Sequence, residues 1–178
     1  MAHFSMFGSN DGQLVPGRDF YITIFGGSDL KRLPAASQIA ELRQRPAFER
    51  DQSQYIFCTL FGGTTLTWPT LAEEYLALRD ALRAGTITLD DWDRSVARPG
   101  GPGPLRTLSL TLFGSFDGDV LPREEKELDD LSLQRHLGQI PEAAVQLLML
   151  AIGQAGGQRL AAVRHAVLAA ISQGATAS

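Results

Sequence analysis

Nucleophilic catalysis needs a nucleophile, a base and an orienting group within reach of one another. The chain offers one cysteine, Cys58, and three histidines, His3, His136 and His165, far apart in sequence. Cys58 sits in an alternating apolar stretch and is expected as a core thiol. His3 reads as a surface or edge residue, His136 as a helix C-terminal residue and His165 as part of a polar helix face. No metal motif has this spacing. Asn10, Asp11, Asp117 and Asp119 stand in equivalent turns and could offer oxygens to calcium, but the loop with alternating acids and a distal glutamate is missing. Gly26-Gly27-Ser28 and Gly62-Gly63-Thr64 could form anion-binding nests, yet each leads into a strand instead of a helix N-terminus. The expectation is therefore no catalytic residue, no metal and no cofactor.

The 178 residues carry 16 basic and 20 acidic groups for a net charge of −4, with 44% apolar residues. These values suit one ordinary folded domain and supply no positive field for nucleic acid. A single cysteine cannot form an intramolecular disulfide, and MAHFSMFGSN lacks the pattern of a secretory leader. Ala143 to Gly153, the most apolar stretch, is about half the ~20 residues a membrane span needs. A cytoplasmic protein without a membrane span is expected.

One pattern occurs four times: HFSMFGSNDGQLVP, YITIFGGSDLKRLP, FCTLFGGTTLTWP and SLTLFGSFDGDVLP. Aligned on Phe7, Phe25, Phe61 and Phe113, each copy has an apolar residue, then Ser5, Thr23, Thr59 or Thr111, then another apolar residue before the phenylalanine. Such alternation predicts a short strand with the Phe4 and Met6 type of position on one side and the hydroxyl and phenylalanine positions on the other. The Cys58 position belongs to the apolar column, read as facing inward, and the hydroxyl column is expected to be buried beneath the inserted helices. Gly8, Gly26, Gly62 and Gly114 follow the phenylalanines and suit a bend or a positive φ. A second strand then runs to Pro16, Pro34, Pro69 or Pro122. Two arrangements fit: strands stacked in register as coils of a β-solenoid, or an antiparallel sheet of hairpins, for which Asp11-Gly12 and Asp117-Gly118 are turn signals.

Between the copies the spacing is helical. AASQIAELRQR follows Pro34, with Ile39 and Leu42 on one face. Thr70 and Glu73 form a capping box ahead of Leu71, Tyr75, Leu78 and Leu82, and Gly85 stops that helix. Thr88 and Asp91 start another, which carries Trp92. Residues 97–106 read as a Pro/Gly linker. An acidic helix, a nearly all-apolar helix and a last helix follow. In the last, Leu160, Val163, Val167 and Ile171 are expected inside and Arg159, Arg164 and His165 outside. The apolar helix predicts an interface through Val145, Leu148, Met149 and Ile152.

The strand–FGG–strand–Pro copies resemble the C-terminal domain of cell-wall-active antibiotic response proteins, a small β-solenoid. LALRDALRAGTITLDDWDRSVA resembles the SHOCT-like helical hairpin, inserted here between copies. The resemblance implies a bacterial protein with a role in envelope stress or scaffolding. The expected fold is α+β: four strand–FG–strand units in a small solenoid-like or alternatively antiparallel sheet, covered by helices. Residues 1–122 would form the β core, with helical insertions at 35–50 and 70–97, and 123–174 a C-terminal helical region. The function read from this is a non-enzymatic protein-interaction or self-assembly module, with a protein partner or a homo-oligomer. The alternative is a small-molecule binder or hydrolase using a cleft between the sheet and the helical tail.

Overall fold

The computed structural model describes residues 2–7, 12–14, 18–47, 54–97, 106–114 and 116–176. Gly8, Asn10, Asp11, Pro16 and most of the 97–106 linker lie outside them. Each sequence copy supplies two strands: β1 (Ala2–Phe7) and β2 (Gly12–Leu14), β3 (Arg18–Phe25) and β4 (Ser28–Arg32), β5 (Gln54–Phe61) and β6 (Thr64–Thr67), β7 (Arg106–Phe113) and β8 (Phe116–Val120). The odd-numbered strands form one four-stranded sheet in the order β1-β3-β5-β7, and the even-numbered strands a second in the order β2-β4-β6-β8. Every neighbouring pair is parallel. Parallel neighbours need a crossover, and here the chain supplies it by visiting the other sheet between successive strands.

The antiparallel alternative is thus corrected. Asp117-Gly118, read as a hairpin turn, lies within β8, where the pairing with β6 shifts register. A glycine inside a strand marks such a bulge. Elsewhere the register keeps like with like: Phe7 pairs with Phe25, Phe25 with Phe61 and Phe61 with Phe113, while Ser5, Thr23, Thr59 and Thr111 form another row.

The core of this β unit is the layer between the sheets. Tyr21 and Phe57 from the first sheet meet Leu30 and Leu66 from the second. Thr23, Thr59 and Thr64 are buried with them, and the hydroxyls of Thr59 and Thr64 share a hydrogen bond of 3.4 Å. The hydroxyl column is buried as expected, but it lies against the second sheet and not beneath the inserted helices, and the Cys58 column, read as inward, faces the other way. The hydroxyl side points in, because the same parity carries Tyr21 and Phe57, whose rings fill the layer while the short threonines leave room for them. The apolar side points out, and Cys58 with it, only half-buried.

The chain separates into two units: Met1–Leu33, Glu41–Trp68 and Gly103–Val120 make the β unit, and Pro34–Ala40, Pro69–Pro102 and Leu121–Ser178 the helical one. The long helical insertion after Pro69 therefore groups with the C-terminal helices instead of with the strands around it. Six helices occur among the described residues: α1 (Ala35–Gln44), α2 (Leu71–Ala84), α3 (Leu89–Val96), α4 (Glu124–His136), α5 (Glu142–Ala151) and α6 (Gly156–Thr176). The capping boxes at Thr70/Glu73 and Thr88/Asp91 are both formed, and Gly85 ends α2 with φ 69°. Helix α6 packs along α5 and α2. Its Leu160, Val163 and Val167 join Leu71, Tyr75, Leu78, Ala144 and Leu148 as buried residues. No helix among the described residues is long and apolar enough to cross a membrane.

Candidate interaction surface

Side chains alternate across a strand, so once Tyr21, Thr23, Phe57 and Thr59 turn inward, their neighbours must turn outward. On the outward face of the β1-β3-β5-β7 sheet, Phe4 is 62% exposed, Met6 50%, Phe20 47%, Ile22 40% and Leu112 71%. Cys58 and Leu60 lie among them, half-buried. Four strands about 4.8 Å apart, each with six residues rising about 3.3 Å, span roughly 300–400 Å². That is the size of the largest apolar patch on a typical monomer, and such patches are often functional.

The phenylalanines at the bends form a second, separate exposed apolar row. By parity they belong to the inner side, but they sit where the chain leaves one sheet for the other, beyond the core layer. Their rings stack in one ladder: Phe7 on Phe25 at 5.3 Å, Phe25 on Phe61 at 5.3 Å and Phe61 on Phe113 at 5.2 Å, with interplanar angles of 10°, 4° and 10°. A parallel in-register sheet brings identical side chains to the strand spacing, and flat rings tolerate that spacing well. His3, Tyr21 and Phe57 make a second ladder inside, at 4.5 and 5.0 Å. The edge position of His3 is consistent with its place on β1, where its imidazole is 4.0 Å from Asp19. Burial, and then the Asp19 carboxylate, pushes the Tyr21 phenol above its ordinary pKa.

The glycines are what let the bends stack. Gly26 donates its N–H to the Phe61 carbonyl at 3.0 Å, and Gly62 donates to the Phe113 carbonyl at 3.1 Å. Backbones that close leave no room for a side chain. A Cβ on Gly62 would overlap the Gly26 carbonyl oxygen, and one on Gly114 the Gly62 carbonyl oxygen. Gly26 and Gly62 also adopt φ of 133° and 145°. Gly114 is constrained by the close approach alone.

The proposed interface on the apolar helix divides. Val145 and Leu148 are buried core of the helical unit, in which α5 packs against α6. Met149 is exposed and Ile152 half-buried, and the neighbouring Leu150 is 77% exposed. The last helix differs from its expected facing at both ends: Arg159 is buried and Ile171 is exposed. His136 and His165 are exposed, as their helix positions suggested. Arg164 holds Asp93 of α3 through two hydrogen bonds, at 2.6 and 3.0 Å.

Arg159 is part of a buried polar cluster that the sequence reading did not find. Glu127 on α4 accepts hydrogen bonds from the Arg159 guanidinium and from the backbone N–H of Leu71, at 2.8 Å for the latter. Arg159 also donates to the Pro69 carbonyl at 3.4 Å. Glu74 on α2 accepts from the N–H of Ala35 at 2.8 Å. Leu71 and Ala35 open α2 and α1, so each carboxyl satisfies an orphan donor at another helix's N-terminus. Burial raises Glu74 to a pKa of about 8, against the lowering by the Ala35 bond and by Arg159, so this carboxyl is mostly protonated at neutral pH. The contacts of this cluster are those of helix capping: its carboxyls accept from the N–H groups that open α2 and α1.

Among the described residues, two grooves of the helical unit can be compared with a catalytic site. One, of about 360 Å³, runs between α5 and α6 and carries His165 as its titratable group. The other, of about 350 Å³, includes Tyr75, Arg79, Arg83 and Gln139, and Arg79 is engaged there with Asp80 and the Gln139 carbonyl. Neither assembles a nucleophile beside a base. Among the described residues no three His, Cys, Asp or Glu side chains are grouped to hold a metal ion. The outward sheet face is thus the surface that most needs a functional account.

No family model, curated protein or solved structure matches the chain. The functional reading therefore rests on the geometry of this molecule.

Proposed function

We propose that this chain is a non-enzymatic protein-interaction or self-assembly module in which a small β-solenoid presents an apolar sheet face to a protein partner. The observation that carries the reading is the exposed row of Phe4, Met6, Phe20, Ile22 and Leu112 on one regular sheet. Leaving such a face in water is costly at about 25 cal/mol per Å² of apolar surface, and a partner recovers that cost. The two parallel sheets, each taking one strand from every sequence copy, support the solenoid description. The resemblance to the cell-wall-active antibiotic response domain, with its SHOCT-like hairpin, accords with scaffolding and extends the proposal to envelope stress.

A photo-crosslinking test reads the face directly. A benzophenone-bearing phenylalanine analogue replaces Phe20, with the same analogue at Leu133 on α4 as the control. On irradiation in cells, discrete adducts should form from Phe20 and disappear when Ile22→Lys is added beside it. Absence of adducts at Phe20, or equal adducts at Leu133, would contradict an interaction through this sheet.

A further inference from the structure

The edges of the same sheet go further than its face. We propose that, independently of the partner on that face, copies of this chain join head to tail by pairing β7 of one molecule with β1 of the next. The inference rests on the interaction reading only in taking the β1-β3-β5-β7 sheet as the associating element.

Three steps of the ladder already exist within the chain, from β1 to β3, β3 to β5 and β5 to β7, all parallel and all in one register. The outer edge of β7 therefore presents what β5 presents to β7, and the outer edge of β1 presents what β3 presents to β1. Joining them repeats an interface that the molecule makes three times. Phe113 would pair with Phe7 of the second copy, Thr111 with Ser5, Leu110 with Phe4 and Ser109 with His3. The exposed rings fit this step: the end rungs Phe7 and Phe113 are 77% and 61% exposed, the inner rungs Phe25 and Phe61 only 47% and 43%. Among the described residues each end rung has one stacking neighbour and each inner rung two. The bend donors fit as well. Gly26 bonds the phenylalanine carbonyl of the next layer, and so does Gly62. Gly114 is the next donor in that series, and its acceptor in the join is the Phe7 carbonyl of the second copy. Position 8 is glycine, the residue type this step demands at Gly62 and Gly114.

Edge strands are normally blunted by charge, proline, shortness or a bulge. The second sheet has such devices, since β2 is three residues long and β8 carries the register shift. Within the described strands β1 and β7 the first sheet carries none of these devices. β1 reads AHFSMF, and β7 reads RTLSLTLF with its one charge at the first residue. A head-to-tail contact does not close on itself unless the rotation permits, so growth is open-ended.

The test is absolute mass by light scattering across protein concentration, using the full chain. Wild type should climb from 19.3 kDa past two copies as concentration rises. Phe7→Lys/Phe113→Lys sets like charges opposite each other at the join and should hold the mass at one copy, while still melting cooperatively at a midpoint lowered by the loss of the Phe7–Phe25 and Phe61–Phe113 stacks. Phe7→Lys/Phe113→Glu sets opposite charges there and should restore growth that fades in high salt. A wild type that stays at 19.3 kDa, or stops at two copies, overturns the head-to-tail join. So does a Lys/Lys variant that grows, or a Lys/Glu variant that does not. Adducts at Phe20 from a chain that stays monomeric would leave the interaction reading standing and remove only this one.

Discussion

Gly62→Ala should destabilise the β unit by roughly 3 kcal/mol or more, and Gly114→Ala by a smaller but still large amount. At Gly62 two costs combine: φ is 145°, which an L side chain rarely adopts, and the new Cβ overlaps the Gly26 carbonyl. At Gly114 only the overlap with the Gly62 carbonyl acts. Gly85 is the internal reference, because its φ is 69° but a Cβ there meets nothing within 4 Å. Gly85→Ala should cost only about 1 kcal/mol. Urea melts of the three variants decide the matter. Equal losses at all three positions would mean that the layers are not as close at the bends as the hydrogen bonds from Gly26 and Gly62 require.

Arg159→Ala should cost the helical unit about 3–5 kcal/mol, since it leaves Glu127 buried without its cation. Arg159→Met/Glu127→Leu should recover part of this, because removing both charges ends the desolvation cost while the Leu71 N–H still loses its acceptor. A single variant as stable as wild type would contradict a buried pair. The same cluster sets a pH dependence through Glu74. Its carboxyl binds a proton more tightly when folded, at about 8, than when unfolded, near 4.5. Its contribution is therefore fully present below about pH 4.5 and is lost as pH rises through 8, on the order of a few kcal/mol in total. Glu74→Gln should flatten that slope.

Much of the β unit was legible in the sequence because its determinants are local and repeated. The two-residue alternation, the glycine after each phenylalanine and the closing prolines place all eight strands. The helix signals at Thr70/Glu73, Thr88/Asp91 and Gly85 are equally local, and each is formed as its spacing implied. What the sequence hid is which face of the first sheet is the core. Ile22, Cys58 and Met6 look more apolar than Thr23, Thr59 and Ser5, so hydropathy alone turns the sheet the wrong way. The deciding residues are Tyr21 and Phe57, whose large rings share a side with the threonines and need the layer between the sheets. Arg159 was hidden for a different reason. Its partner Glu127 lies 32 residues away on another helix, and both read as ordinary solvated charges on their own helices. The same holds for Glu74, whose partner is a backbone N–H at the start of α1.

The facing of that sheet carries the functional argument, and the single cysteine reports on it. Cys58 belongs to the outward row with Phe4 and Ile22. The measurement is the rate at which a small maleimide modifies Cys58 in dilute native protein, compared with the rate in denaturant. An outward apolar face predicts complete modification without denaturant, within a few fold of the unfolded rate. A thiol that reacts only after unfolding would place Cys58 in the core and turn the face inward.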